Sequence, residues 1–165
     1  MNEDNSNNSN TSNDKWDNYF LNLALMTSKM SKDPVTKVGS SIKGPDKSVL
    51  SVGYNGFPAN IPDDPEMLAN RETKYKYIIH AEENAIKFAL RCGFIPKGST
   101  IYTTLPPCYN CYQLIRANGI KKIVTIEPMP EVKERWKEQW DLVAKQAVED
   151  NCSITYVSRR HSDYK

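Results

Sequence analysis

No run of apolar residues approaches the ~20 needed to cross a bilayer, and the opening residues, MNEDNSNNSNTSND, lack the charged-then-apolar pattern of a secretory signal. A membrane-spanning or exported protein is therefore not expected, and a cytoplasmic location is. Dense basic blocks are missing as well. Lys and Arg number 22 against 20 Asp and Glu, a formal charge of +2, and the lysines are scattered. Nothing in that balance calls for a nucleic acid partner. Cysteine is scarce, at four, and histidine scarcer, at two. Without an export signal the cysteines are expected to be reduced, so metal binding or plain burial outranks a disulfide framework.

A chain of 165 residues fits one domain. Residues 1–14 are rich in Asn, Ser and Asp and offer too little apolar surface to offset the entropy of ordering, so a disordered tail is expected there. The domain is expected over 15–158 and a short tail with a solvent-exposed His161 over 159–165. Trp16, Tyr19, Phe20, Leu23, Met26 and Met30 recur at helical spacing, and Asp33-Pro34 closes that first helix. KVGSSIK and SVLSVGYN flank the turn cluster GPDK and read as a β-hairpin. Residues 58–78 carry three prolines and are too long for a simple connector; a lid or site-flanking loop with a little helix and a solvated excursion both remain open. Helical pattern runs from His80 to Arg91, STIYTTL reads as a strand, a helix follows Pro107 to about Ala117, and KKIVTIE is another strand. EVKERWKEQWDLVAKQAVED spaces Trp136, Trp140, Val143 and Ala147 as an amphipathic helix before the strand SITYV. Alternation of strand and helix in the second half implies parallel pairing through crossovers, whereas the hairpin is antiparallel. The fold class expected is α/β: a three-layer α/β/α arrangement with a mixed five-stranded sheet.

Two motifs carry chemistry. In HAEENAI, residues 80–86, His80 stands two positions before Glu82 at a helix start; in LPPCYNC, residues 105–111, Cys108 and Cys111 open the next helix. Zinc favours thiolate and imidazole ligands, and catalytic zinc keeps a position free beside three protein ligands. Cysteines three apart lie near one helical turn and can reach a common ion, while two converging helix N-termini favour thiolates. Glu82 points about 200° from His80 around a helix axis, so both serve one site only if the helix addresses the ion end-on. A carboxylate there can act as general acid and base on a metal-activated water. A lone CxxC also fits a redox pair or chance, and a lone HxE is weak. HxE opening one helix and PCxxC opening the next, with a strand between, is the arrangement expected of zinc-dependent nucleobase deaminases. Cys92 and Cys152 have no partner at ligand spacing and are expected to be buried small hydrophobes.

From about residue 16 to 158 the chain resembles the deoxycytidylate (dCMP) deaminases of the cytidine deaminase-like superfamily. SKDP followed by VG at 31–39, GYNGFP at 53–58, TKYKYIIHAEENAI at 73–86, IYTTLPPCYNC at 101–111 and GIKKIV at 119–124 carry the likeness. The resemblance implies hydrolytic deamination of dCMP to dUMP and ammonia for thymidylate synthesis, with Zn2+ held by His80, Cys108 and Cys111. Glu82 would protonate N3 and then the amino group. It also implies that Asn55 contacts substrate, that backbone near Ala81 and the Pro106 carbonyl hold the base edge, and that Ser31 and Lys32 take the phosphate. Homo-oligomers, hexamers or smaller rings, and control by dCTP and dTTP are further family traits. Pro106 stands where adenosine and guanine deaminase relatives commonly have glutamate, which argues against those branches. The 58–77 segment lacks the added Cys and His that some regulated members use for a second zinc. A deaminase of another cytosine nucleoside, nucleotide or RNA base, and a zinc-stabilised binding module without catalysis, are the competing functions.

Overall fold

A computed structural model describes residues 11–158, with side chains from Lys15 onward. Of the tails expected over 1–14 and 159–165, residues 1–10 and 159–165, His161 included, lie outside the described residues. Five strands form one sheet: β1 (Gly39–Lys43), β2 (Val49–Tyr54), β3 (Thr100–Thr103), β4 (Lys122–Ile126) and β5 (Ser153–Val157), in the spatial order β2-β1-β3-β4-β5. β1 is antiparallel to both β2 and β3, and β3, β4 and β5 run parallel. The mixed five-stranded sheet expected from the hairpin and the later alternation is the one observed. The helices are α1 (Thr11–Ser28), α2 (Pro65–Ala69), α3 (Arg71–Tyr77), α4 (Ala81–Cys92), α5 (Tyr109–Ala117) and α6 (Pro130–Glu149).

Period-two alternation along the central strands divides the core into two layers. Ile101 and Ile123 pack with Ile86 and Ala89 of α4, Ile115 of α5 and Val143 of α6; Tyr102 and Val124 pack on the other face with Phe20 and Leu21 of α1. The Tyr102 ring stacks on Phe20 with centroids 5.2 Å apart, and its hydroxyl donates to Asp17 at 2.6 Å. Among the described residues no helix is long and apolar enough to cross a membrane.

Three expectations require correction. α1 already includes residues 11–14, where a disordered tail is expected, because helical hydrogen bonding does not need the apolar stripe that locates the helix in the sequence. Its buried face is Phe20, Leu21, Ala24 and Ser28, while Tyr19, Met26 and Met30 are exposed. Small residues face the sheet because the backbones nearly touch: a Cβ on Gly39 would lie 1.9 Å from the Ala24 carbonyl oxygen. No methionine fits in that gap. Cys92 is exposed in the last turn of α4, whereas Cys152 is buried as expected.

A second close approach fixes α4. A Cβ on Gly53 of β2 would stand 2.4 Å from both the Ala81 oxygen and the Ala85 nitrogen. Ser51 donates to the Ala85 carbonyl at 2.6 Å, and Asn84 to the Tyr54 carbonyl at 2.8 Å. Gly56 and Ile79 exchange backbone bonds of 3.1 and 2.8 Å just before His80. The start of α4 is thereby pinned to β2 backbone to backbone. Gly53→Ala is expected to cost about 2–3 kcal/mol, the upper range for overpacking, because the obstacle is main chain. Urea denaturation of the purified variant measures it, and zinc content should fall with stability.

Candidate active site

The parallel strands β3 and β4 end on the same side, and α4 and α5 begin there, so the site sits beyond the carboxyl ends of the strands where open α/β sheets place ligands. His80 is the N-cap of α4 and Cys108 the N-cap of α5, both with extended backbone, and neither side chain is used as a cap. Both are left free to face each other. Nδ1 of His80 lies 3.5 Å from Sγ of Cys108 and 3.4 Å from Sγ of Cys111, and the three donor atoms all fall within 4.8 Å of one another. One imidazole and two sulfurs from two helix starts fit the donor set zinc prefers, and three protein ligands rather than four leave a position for reactant.

Glu82 meets the geometric condition set by its sequence spacing. It lies in the first turn of α4, 4% exposed, lining the same cavity as His80 and Cys108, while Glu83 turns away to pair with Lys87 at 2.6 Å. The Thr103 hydroxyl is 3.0 Å from the Leu105 carbonyl and 3.4 Å from Oε1 of Glu82. Burial raises the Glu82 pKa above the ordinary carboxylate value, with the opposing pull of His80 second. A carboxyl so placed can serve as both proton donor and acceptor. In the metal-free cluster the Cys111 thiol bonds to Cys108 and lowers that thiol's pKa, burial working against it and His80 with it. Cys111 is pushed up by its bond to Cys108 and by burial. His80 is raised to about 9 by Cys108.

The cavity has a volume of about 460 Å³, within the usual range for small-molecule sites. Ala81 and Pro106 line it, as their reading as base-edge contacts requires. Asn55 lines it too, but its amide is committed: Oδ1 accepts from the Val38 N–H at 2.8 Å, and Nδ2 donates to the Thr36 carbonyl at 2.8 Å and to Asp33 at 3.5 Å. Ser31 and Lys32 are not among the lining residues. Ser31 is buried, its hydroxyl donating to the Asn55 carbonyl at 2.8 Å, and Lys32 turns outward to Asp63 at 2.6 Å. Alternation along this short loop sends Ser31 and Asp33 inward and the lysine between them out.

Sequence reasoning missed the residue that organises this loop. Asp33 is buried, accepts from the N–H groups of Val35 and Thr36 at 2.9 and 3.1 Å, and pairs with Lys74 of α3 at 2.9 Å. The pair ties residues 58–78 to the cavity wall, so that segment flanks the site and is not a solvated excursion; Lys74, Tyr75 and Ile78 all line the cavity. Its two helices share Asn70, which ends α2 and caps α3 by accepting from the Thr73 N–H. The signal available was an Asp-Pro read only as a helix stop. α6 adds Val132, Arg135, Trp136 and Trp140 to the wall, and its Gln139 accepts from the first N–H of α5 at 3.2 Å. The two tryptophans of this amphipathic helix thus wall the site, Trp140 while also buried in the core.

Residues 14–127 match the family model described as the cytidine and deoxycytidylate deaminase zinc-binding region. The chain belongs to that family. It is 40% identical over 119 residues to a probable deoxycytidylate deaminase of Drosophila melanogaster, covering 66% of this chain and 58% of that one. To the deoxycytidylate deaminase of Mus musculus it is 36% identical over 115 residues, covering 67% and 64%. The chain thus spans less than two thirds of the length of these curated relatives. Its fold matches the crystal structure of dCMP deaminase from the cyanophage S-TIM5 in complex with dCMP and dUMP, with a TM-score of 0.64 at 18% identity over 91% of this chain and 99% of that one. Zinc is the cofactor that both the family and the donor set of His80, Cys108 and Cys111 specify.

Two measurements test this construction. At pH 7 the metal-free cluster holds protons on His80 and Cys111, and ligands must be deprotonated to bind metal. Zinc binding is therefore expected to release about two protons per ion near pH 7 and to tighten as pH rises, read by calorimetry in buffers of different ionisation heat; no release would mean these side chains are not the ligands. Breaking a buried ion pair on one side strands the other charge, so Lys74→Met is expected to destabilise by about 3–5 kcal/mol. Denaturant unfolding, with the Asp33→Asn/Lys74→Met double variant recovering part of the loss, checks that figure.

Proposed function

We propose that the protein catalyses the hydrolytic deamination of dCMP to dUMP and ammonia, supplying dUMP for thymidylate synthesis. The observation that carries this reading is the buried Glu82 on the wall shared with His80 and Cys108, in a cavity of nucleotide size. The relatives named deoxycytidylate deaminase supply the substrate class. Zinc, when bound, activates water as the nucleophile for C4 of the cytosine. The carboxylate of Glu82 takes a proton from that water and gives it to N3, then takes a second and passes it to the exocyclic amine, which leaves as ammonia. Water is consumed and no redox change occurs. Thr103 orients the carboxylate, and the Pro106 carbonyl and the backbone at Ala81 hold the base edge. Asn55 acts by bracing residues 33–38 as the wall the substrate meets.

A binding module without catalysis would have no use for a carboxylic acid buried at the metal cluster, because burial of the group is costly and acids perturbed in this way concentrate at catalytic sites. The same reading carries a homo-oligomer, a hexamer or a smaller ring, a cytoplasmic location, and dCTP and dTTP as effectors, all of which rest on the family likeness.

Ammonia release from dCMP by the zinc-loaded protein is the direct test. Glu82→Gln is expected to keep one zinc per chain, by metal analysis, and to lose about 10²–10⁴ in kcat, the usual range for removing a general acid or base. Zinc retained with turnover intact would remove Glu82 from the reaction.

A further inference from the structure

Helix α6 lies beyond the matched family segment, which ends at residue 127, yet it walls the cavity that holds His80 and Glu82. The motifs that carry the family likeness also end before α6, at residue 124, so no motif assigns a role to its side chains. If the base is to react, it must lie inward against Glu82, which places the 5′ end of the nucleotide toward the mouth. A dianionic phosphate leaves water only where cationic donors replace its hydration. The Lys and Arg side chains lining the cavity are Lys37, Lys74 and Arg135. Lys74 is neutralised by Asp33, and the Lys37 ammonium is held on the Ser31 carbonyl. Arg135 is exposed at the rim and, among the described residues, has neither an ion pair nor a hydrogen bond. Its neighbour Trp136 is half-buried, stacked on Trp140 with centroids 6.2 Å apart and planes 19° from parallel.

We propose that Arg135 is the specificity-determining residue that takes the 5′-phosphate of the substrate, with Trp136 as a flat wall beside the nucleoside. The proposal rests on the deamination reading above and adds to it the group that separates a nucleoside monophosphate from a nucleoside. A guanidinium presents paired N–H donors that match two phosphate oxygens, which an ammonium cannot do. The stacked pair of indoles stiffens the helix face that carries it. Lys32, the candidate from the sequence, faces Asp63 instead.

The test compares kcat/KM for dCMP and for deoxycytidine in the zinc-loaded wild type, Arg135→Gln and Arg135→Lys, together with calorimetric affinities for dUMP and deoxyuridine. Loss of a charge-assisted contact is expected to lower the dCMP-over-deoxycytidine ratio about 10- to 100-fold in Arg135→Gln, mainly through KM, with Arg135→Lys between. The dUMP-over-deoxyuridine affinity ratio should fall in parallel, independently of turnover. A merely structural role would lower both substrates alike and leave both ratios at their wild-type values, which would overturn the proposal while the deaminase reading stands. A wild type that shows no preference for phosphate in either ratio would overturn the monophosphate reading and this proposal together.

Discussion

Main-chain contact between the first turn of α4 and β2 is the constraint from which the site follows. Because Gly53 has no side chain, the Ala81 carbonyl and the Ala85 amide rest directly on the strand, and His80 projects from a fixed point at the sheet's edge. Cys108 and Cys111 arrive at that point by a different route, through β3 and the proline pair that opens α5. Neither element alone holds three ligands. The pinned helix start also resolves how residues two apart in sequence serve one centre: His80 and Glu82 line the same cavity at the end of the helix, where side chains of the first turn need not share a lateral face.

Buried charge organises the rest of the cavity. A carboxylate excluded from water must be paired and hydrogen-bonded, and Asp33 achieves this with two backbone amides, an asparagine and Lys74. In doing so it shapes residues 33–38 and fastens α3 against them. Glu82 is the opposite case, buried without a cation bonded to it among the described residues and with a long contact to Thr103, and burial accordingly pushes its pKa upward. One acid is bound up in an ion pair and hydrogen bonds that hold structure. The other is left poised to exchange protons.

Helix α6 joins two roles that its sequence pattern did not separate. Trp140, Val143 and Ala147 belong to the buried stripe, whereas Arg135 and Trp136, one turn earlier, overhang the cavity. The helix can do both because it outruns the strands it packs on, and its first turns extend past the sheet to the end where ligands bind.

Periodicity and motif spacing were enough, before any coordinates, to determine the mixed sheet, the strand β5 to the residue, and the grouping of His80, Glu82, Cys108 and Cys111. Those features depend on local patterns: alternation for strands, turn residues for the hairpin, and ligand chemistry at one-turn spacing. The buried face of α1 was misread because hydrophobicity marks what gains from burial, not how closely two backbones approach; contact at Gly39 selected Ala24 and Ser28 over Met26. Sequence alone does not show that Lys32 faces Asp63 or that the Asn55 amide is bonded to Val38 and Thr36, because which way a loop side chain points depends on partners far along the chain. Asp33 and Lys74 stand 41 positions apart, and only the folded chain brings them to 2.9 Å. Tertiary structure alone decides which charges are spent on one another and which remain for a ligand.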